Sequence, residues 1–297
     1  MTSNWHWTAY QVILRLHSPL HIGKGKVGYL QRTYPYVTGR VLRGALVNRV
    51  GRNQNIRGKD WHDPFRCISK TFAQFLTFTY FYPALKKGDV WKAAFPWENE
   101  ANFRRRFLSS YTATALSYPS QSAEENSLHE IEFISPHTLD DGQPVYLMGY
   151  IFVEEQRLTR DKYDWLGAVN RLQLGGERGY GWGDARLEKL QPLKEGQKLF
   201  EKIAPPALKK RWPVLQLFKN DPLLAHTKAK SGKIAGQIEP VVGREWHDRQ
   251  RIGQHLAFDG VHFMPGSNFL CNAKFSIREA GYWQLEKSRA QSGGQRP

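Results

Sequence analysis

LGGERGYGWGDARLEKL, residues 174–190, changes character halfway along. Its first part, GGERGYGWG (175–183), packs five glycines into nine residues. In its second part Ala185 and Leu187 alternate with Arg186 and Glu188, the period of a strand. Upstream, Trp165, Ala168, Val169 and Leu172 recur at helical spacing within residues 161–174, and Asp161 is placed to cap that helix. A helix, a glycine-rich turn and a strand therefore follow one another. A dinucleotide fingerprint would need a helix after the glycines, so this is not one. Glycine admits positive φ and close backbone approach, so amides at Gly175, Gly176, Gly181 and Gly183 are candidates to cradle phosphates. Arg178 adds charge, and Tyr180 and Trp182 add faces for stacking bases. The functionless reading of the same residues is a tight turn with packed aromatics.

The N-terminal stretch has its own logic. Tyr10, Val12, Leu14 and Leu16 alternate with Gln11, Arg15 and His17, which predicts a strand with one buried face. Pro19, Gly23, Gly25 and Gly28 then impose a loop, irregular through Pro35 and Gly39. Leu42, Ala45, Leu46 and Val50 fall on one helical face, with Gly51 as a stop. Residues 1–59 hold ten Lys and Arg and no Asp or Glu. A patterned, acid-free basic segment predicts a folded surface facing a polyanion. Its candidate contacts are His21, Lys24, Lys26, Arg32, Arg40 and Arg43, for each of which a solvated charged face is the plain alternative. GKGKVG is not a nucleotide-triphosphate loop, because no Ser or Thr follows a Gly-Lys pair.

Residues 60–128 read as an insertion containing the aromatic run FAQFLTFTYFYPAL (72–85) and Arg104-Arg105-Arg106. Glu130 to Phe133 alternates, Asp140-Asp141-Gly142 signals a hairpin, and Val145 to Val153 is a second strand. The resulting order, strand, helix, strand, strand, helix, strand, is α+β and ferredoxin-like, the βαββαβ arrangement of RRM-like domains. The division expected is a first domain over 1–190, a linker over 191–213 marked by Pro192 and Pro205-Pro206, and a second α+β unit over 214–287. That unit carries the strand NFLCNAKFSI (268–277), and residues 288–297 are expected to be a disordered tail.

The chain has 297 residues, a net charge of +16 and a sequence pI near 9.8. Nucleic acid is favoured over an anionic membrane. No apolar run approaches the roughly 20 residues a spanning helix needs, and the first residues have no signal-peptide pattern. Cys67 and Cys271 stand far apart with no paired motif, so they read as free buried thiols in a reducing cytoplasm rather than a disulfide or metal site. Residues 107–156 hold eight acids and no Lys or Arg, an acidic middle suited to a protein neighbour or to solvent.

Three segments together resemble the RAMP superfamily of CRISPR-associated proteins: LHSPLHIGKG, YPYVTGRVLRGAL and LGGERGYGWG. Pro19, Leu20, Ile22, Gly23 and Gly25 match the first motif of that family. Pro35, Gly39, Leu42, Arg43, Gly44, Ala45 and Leu46 match the second, and Gly175, Gly176, Arg178, Gly181 and Gly183 the third. Thr38 departs from it, standing where a residue such as proline is commoner. The resemblance spans about residues 8–190. It implies a ferredoxin-like core that binds CRISPR RNA, with target RNA as a further candidate partner, inside a cytoplasmic antiviral ribonucleoprotein with other RAMP and large type III effector subunits. The run ending YFYPA, the spelling GERGYGWG and the later FMPGS are similar to the Csx-ten branch of type III-D systems.

The resemblance opens two RNA-cleaving chemistries. Metal-dependent cleavage needs an Asp in the loop after the first strand, and no acid stands there. Metal-independent processing needs a His as base or acid and cations for the transition state, which His17, His21, Lys24, Lys26 and Tyr29 could supply. His62, Asp63 and Cys67 lack a second ligand pair for a metal. The expected function is an RNA-binding scaffold with no catalytic residues, metal or cofactor; the alternative is a metal-independent CRISPR RNA-processing endoribonuclease.

Overall fold

The structure, a computed structural model, describes residues 5–54, 62–118, 120–158, 163–230, 233–245 and 255–286. Along the chain, β1 (Trp7–Leu16) leads into a hairpin of β2 (Gly23–Val27) and β3 (Leu30–Thr33), then α1 (Gly39–Asn53) and α2 (His62–Phe75). β4 (Leu76–Phe78), β5 (Tyr82–Lys87) and β6 (Val90–Ala93) follow, then α3 (Glu100–Phe107), β7 (Leu108–Ala113) and a two-residue pair, β8 (Leu116–Ser117) with β9 (Ser122–Ala123). β10 (His129–Ile134), β11 (Tyr146–Glu154), α4 (Trp165–Val169), β12 (Arg171–Gln173) and β13 (Asp184–Pro192) complete the first part. Beyond it lie β14 (Val214–Leu217), β15 (Thr227–Lys228), β16 (Ile234–Ala235), β17 (Ile238–Glu245), β18 (His255–Phe263), β19 (Asn268–Phe269), β20 (Ala273–Ile277) and β21 (Trp283–Leu285).

The main sheet runs β12-β13-β1-β11-β5-β6, with β4 also paired to β11. β13, β1, β11 and β5 are antiparallel neighbours, the order of a ferredoxin-like core in which α1 and α4 are the crossover helices. The α+β class and this core are as the sequence predicts. The strand beside β11, however, is the aromatic segment assigned to the insertion, and not the segment from Glu130. β10 instead lies in a second sheet, β2-β3-β10-β7, parallel to β3 and antiparallel to β7. The expected hairpin between Phe133 and Val145 is reduced to a turn with a single His137–Pro144 bridge. The Asp140-Asp141-Gly142 signal is local and cannot say which sheet its flanks join.

Period two explains how the sheet is covered. Val12, Leu14 and Leu16 of β1 face the helices, whereas Trp7, Ala9 and Ile13 face the C-terminal strands. β11 does the same, with Leu147, Ile151 and Val153 on one side and Tyr146, Met148, Tyr150 and Phe152 on the other. Both faces of β1 are therefore buried, against the expectation of one, and β11 is buried along its length as a doubly covered strand must be.

The C-terminal strands form short sheets, β14-β20-β21 and β15-β18-β17, over that second face. Among the described residues after 192 no helix occurs, so the expected second α+β unit consists there of strands and loops. NFLCNAKFSI splits into β19 and β20. Residues 191–213 bury Leu199, Phe200 and Ile203 in the same layer, and Phe200 packs edge-on to Tyr150. α1 runs two residues past Gly51, where Phe65 of α2 packs into the space a side chain would fill. α4 begins at Trp165, capped by Asp164, whose Oδ1 accepts the Gly167 amide at 2.8 Å; Asp161 lies outside the described residues, as does the tail 288–297. Cys67 is exposed and Cys271 half-buried, neither in a disulfide. Among the described residues no helix is long and apolar enough to cross a membrane.

Candidate nucleic-acid interface

The glycine loop and the loop after β1 are docked backbone to backbone. Gly176 donates its amide to the His21 carbonyl at 2.9 Å, and Gly183 donates to the Pro19 carbonyl at 2.8 Å. Leu174 N–H closes the loop on the Gly183 carbonyl at 2.8 Å. A Cβ on Gly175 would lie 2.1 Å from the His21 carbonyl oxygen, and one on Gly183 would lie 1.9 Å from that of Leu174. Both also have positive φ, 70° and 80°. These glycines are dictated by close approach of two chain segments. The amides of Gly176, Tyr180, Gly181 and Gly183 are consumed inside this junction, so three of the four glycine amides expected to cradle phosphates are spent on the fold.

His21 is buried, its Nδ1 2.7 Å from the Glu132 carbonyl. Trp182 packs edge-on to Phe133 and Tyr111. Tyr180 is 78% exposed, at the tip of a single 3-10 turn (Arg178–Tyr180), and is the ring free to stack. Arg178 is exposed beside it and lines a notch of about 220 Å³ with Gly181, with Arg49 and Arg52 of α1, and with Arg171. Asp184 forms the floor and binds Arg171 at 2.8 Å and Arg186 at 3.0 Å. Burial pushes the Asp184 carboxyl up, but hydrogen bonds and charge from Arg171 and Arg186 outweigh that and hold it below its usual range. One carboxylate among the four arginines that line it, Arg49, Arg52, Arg171 and Arg178, leaves the notch cationic.

The basic loop is partly neutralised by acids distant in sequence. Lys24 lies 3.8 Å from Glu239 and over the Tyr34 ring. Arg32 is 4.0 Å from Glu132, which also binds Arg104, and Arg43 is 3.7 Å from Glu279. The fold thus supplies the partners that the first 59 residues lack. Lys26 makes no ion pair among the described residues and projects from the exposed β2–β3 hairpin. Arg40 and Arg43 line a different cleft from Arg178, between α1 and the C-terminal strands. The acidic middle is spent in part on the arginine triplet, since Arg106 binds Asp140 at 3.2 Å and Asp141 at 2.6 Å.

Glu239 anchors the basic loop to the C-terminal layer. It accepts from Tyr34 at 3.0 Å and sits 2.6 Å from Nε2 of buried His226, whose Nδ1 is 2.8 Å from the Tyr80 hydroxyl. Burial pushes the Glu239 carboxyl up, but His226, Lys24 and Tyr34 bring it below its usual value. Among the described residues no three His, Cys, Asp or Glu side chains converge to hold a metal. Sequence reasoning missed Arg49, Arg52, Arg171 and Arg186. The i, i+3 spacing of Arg49 and Arg52 on a helix was the one signal available; the other two are brought in by strand pairing.

A ferredoxin-like sheet with a glycine-rich loop docked on the segment after its first strand defines the class of the molecule. The chain belongs to the RAMP superfamily, whose family description matches residues 13–186. No curated protein matches it. Solved structures similar to it include a chain of the type III-B Cmr-beta complex in the apo state, determined by cryo-EM, at 11% identity and TM-score 0.40, covering 63% of this chain and 98% of that one. A chain of Cmr-beta bound to cognate target RNA and AMPPnP is 10% identical with TM-score 0.47, covering 88% of this chain and 85% of that one.

Proposed function

We propose that the protein is an RNA-binding scaffold subunit of a type III CRISPR ribonucleoprotein effector, of the Csx-ten branch of type III-D. The observation that carries the reading is the convergence of Arg49, Arg52, Arg171 and Arg178 beside exposed Tyr180. Guanidinium groups on two helix turns and a rigid loop track a phosphate backbone, while a bare tyrosine offers a sequence-tolerant stacking face. Lys26 on the neighbouring hairpin extends the cationic surface. One face of the β17–β18 ribbon exposes Ile238, Val242, Leu256 and Val261, an apolar strip suited to a neighbouring subunit.

One observation favours the processing alternative. His17 is largely exposed, and the partial desolvation it has, together with the charges of Arg186 and Arg15, keeps its imidazole below the ordinary histidine value. A neutral imidazole beside arginines has the composition of a general base with an anion clamp. His21, held on the Glu132 carbonyl, lacks that freedom.

The test is purification of the tagged chain from cells that carry its locus, followed by sequencing of the retained RNA. The expected result is guide RNA with its repeat-derived tag, together with partner subunits. Recovery of the chain without RNA overturns the reading. Incubation of the purified chain with repeat RNA in EDTA decides the alternative: one product, lost in His17→Ala, would establish processing.

A further inference from the structure

A cleft of about 960 Å³ opens where the first turn of α1 meets the C-terminal strands. Its walls are set by a glycine-to-glycine contact: a Cβ on Gly39 would lie 2.7 Å from the Ala280 carbonyl oxygen, and one on Gly281 would lie 3.0 Å from the Gly39 Cα. Thr77 fixes the same corner by donating to the Arg278 carbonyl at 2.5 Å. Arg40 and Arg43 are thereby brought opposite Arg278, Lys230 and Tyr282. Among the described residues the cations are in excess, because Lys228 and Asp259 neutralise each other at 2.7 Å and only Glu279 then stands against Arg40, Arg43, Lys230 and Arg278.

Three buried polar atoms on residues of these walls have no hydrogen-bond partner among the described residues, Trp212 Nε1, Trp283 Nε1 and Thr227 Oγ1, and Arg43 Nη1 has only the ion pair with Glu279 at 3.7 Å. An orphaned buried polar group is unfavourable, so the packing around this cleft is less complete than in the core. The cations that line the cleft, Arg40, Lys230 and Arg278, only donate, so the ligand they fit is rich in acceptor oxygens. The aromatic content points the same way. Tyr282 is half-buried with its ring against His262, while Trp212 is held between the Trp7 ring at 6.1 Å and the Arg278 guanidinium at 4.9 Å and forms a rigid wall.

We infer that this cleft takes one unpaired nucleotide of an RNA strand, its phosphate on Arg40 and Lys230 and its base against Tyr282, with Trp212 in the wall beside it. The inference rests on the RNA-binding reading but places a second contact outside residues 13–186, on the far side of α1's sequence from the notch at Arg49 and Arg52. A pocket of this volume is within the range of small-ligand sites, and phosphate plus base satisfies both the cations and the rings.

The test is photo-crosslinking of single-stranded RNA carrying 4-thiouridine to the full chain, with mapping of the crosslinked peptides. The expected result is crosslinks on the peptides holding Trp212 and Tyr282, lost in the double variant Arg40→Ala with Lys230→Ala, which also binds RNA at least about threefold more weakly. Circular dichroism checks that the variant is folded; Tyr282→Leu is a second, single-site variant with the same expected loss. Crosslinks confined to the loop at Tyr180, unchanged in both variants, would overturn the cleft assignment while leaving the RNA-binding reading intact. Failure of the chain to bind RNA at low salt would overturn both. A parallel titration with free UMP separates the sources: Arg40-dependent binding of UMP without strand crosslinks at Tyr282 would contradict a strand nucleotide in favour of a free one.

Discussion

The amide of Gly176 is donated to the carbonyl of His21 at 2.9 Å, and this bond joins the segment after the first strand to the loop before the last strand of the core. Both segments are also anchored in the core, by Leu20, Ile22 and Leu174. Each is held by the other's backbone, so the junction tolerates no added atoms where the chains touch.

Gly183→Ala is expected to destabilise the protein severely. Its Cβ would enter the Leu174 carbonyl, in addition to the roughly 1–2 kcal/mol cost of a left-handed residue. Gly181→Ala meets open space and should cost only the left-handed term of about 1 kcal/mol. Thermal unfolding of the two variants separates close approach from turn geometry; equal melting temperatures would contradict the packing account.

The two aromatic residues of the loop should divide their roles. Trp182→Ala removes a ring packed on Phe133 and Tyr111 and should lower stability by about 2–4 kcal/mol. Tyr180→Ala should leave stability unchanged and weaken RNA binding by about 1–3 kcal/mol, the worth of one stacked base. Isothermal binding and denaturant melts on both variants check this, and the reverse pattern would refute it.

Glu239 gives a pH signature. Its folded pKa is depressed below the unfolded value of 4.5, so the stabilisation is fully present above that value and is lost as pH falls through the folded one. Glu239→Gln should therefore be less stable than the parent at pH 6, with the gap closing as pH drops below about 4.5. Urea midpoints from pH 6 to pH 3 give the measurement. A constant gap would mean the side chain acts only through packing.

How much of this was legible beforehand depended on range. The alternation of β1, the apolar face of α1 and the strand from Ala185 are local patterns, and they read correctly. The second face of β1 did not, because what covers Ile13 arrives after residue 192. The aromatic run around Phe78 to Tyr82 looked like an insertion because nothing in it shows that β11 is its neighbour. The same limit applied to charge: the acid-free start seemed unpaired until the fold brought Glu132, Glu239 and Glu279 to Arg32, Lys24 and Arg43. The docking of Gly175 and Gly183 on the segment from Pro19 to His21 was visible only as two glycine-rich loops, the second read as a phosphate cradle rather than as a backbone junction.

The arginine notch carries the functional account. In Arg49→Ala with Arg178→Ala, neither of which forms an ion pair among the described residues, the fold should persist. The slope of log affinity against log salt should shrink by an amount corresponding to about two phosphates. A slope equal to the parent's would move the RNA elsewhere on the protein.

The most direct test of the central claim is the affinity of the purified chain for single-stranded guide RNA, measured by fluorescence anisotropy from 50 to 200 mM salt. The account predicts binding that weakens steeply and linearly on a double-logarithmic plot, about 0.7 in slope per phosphate engaged. An affinity that does not change over that range would contradict it.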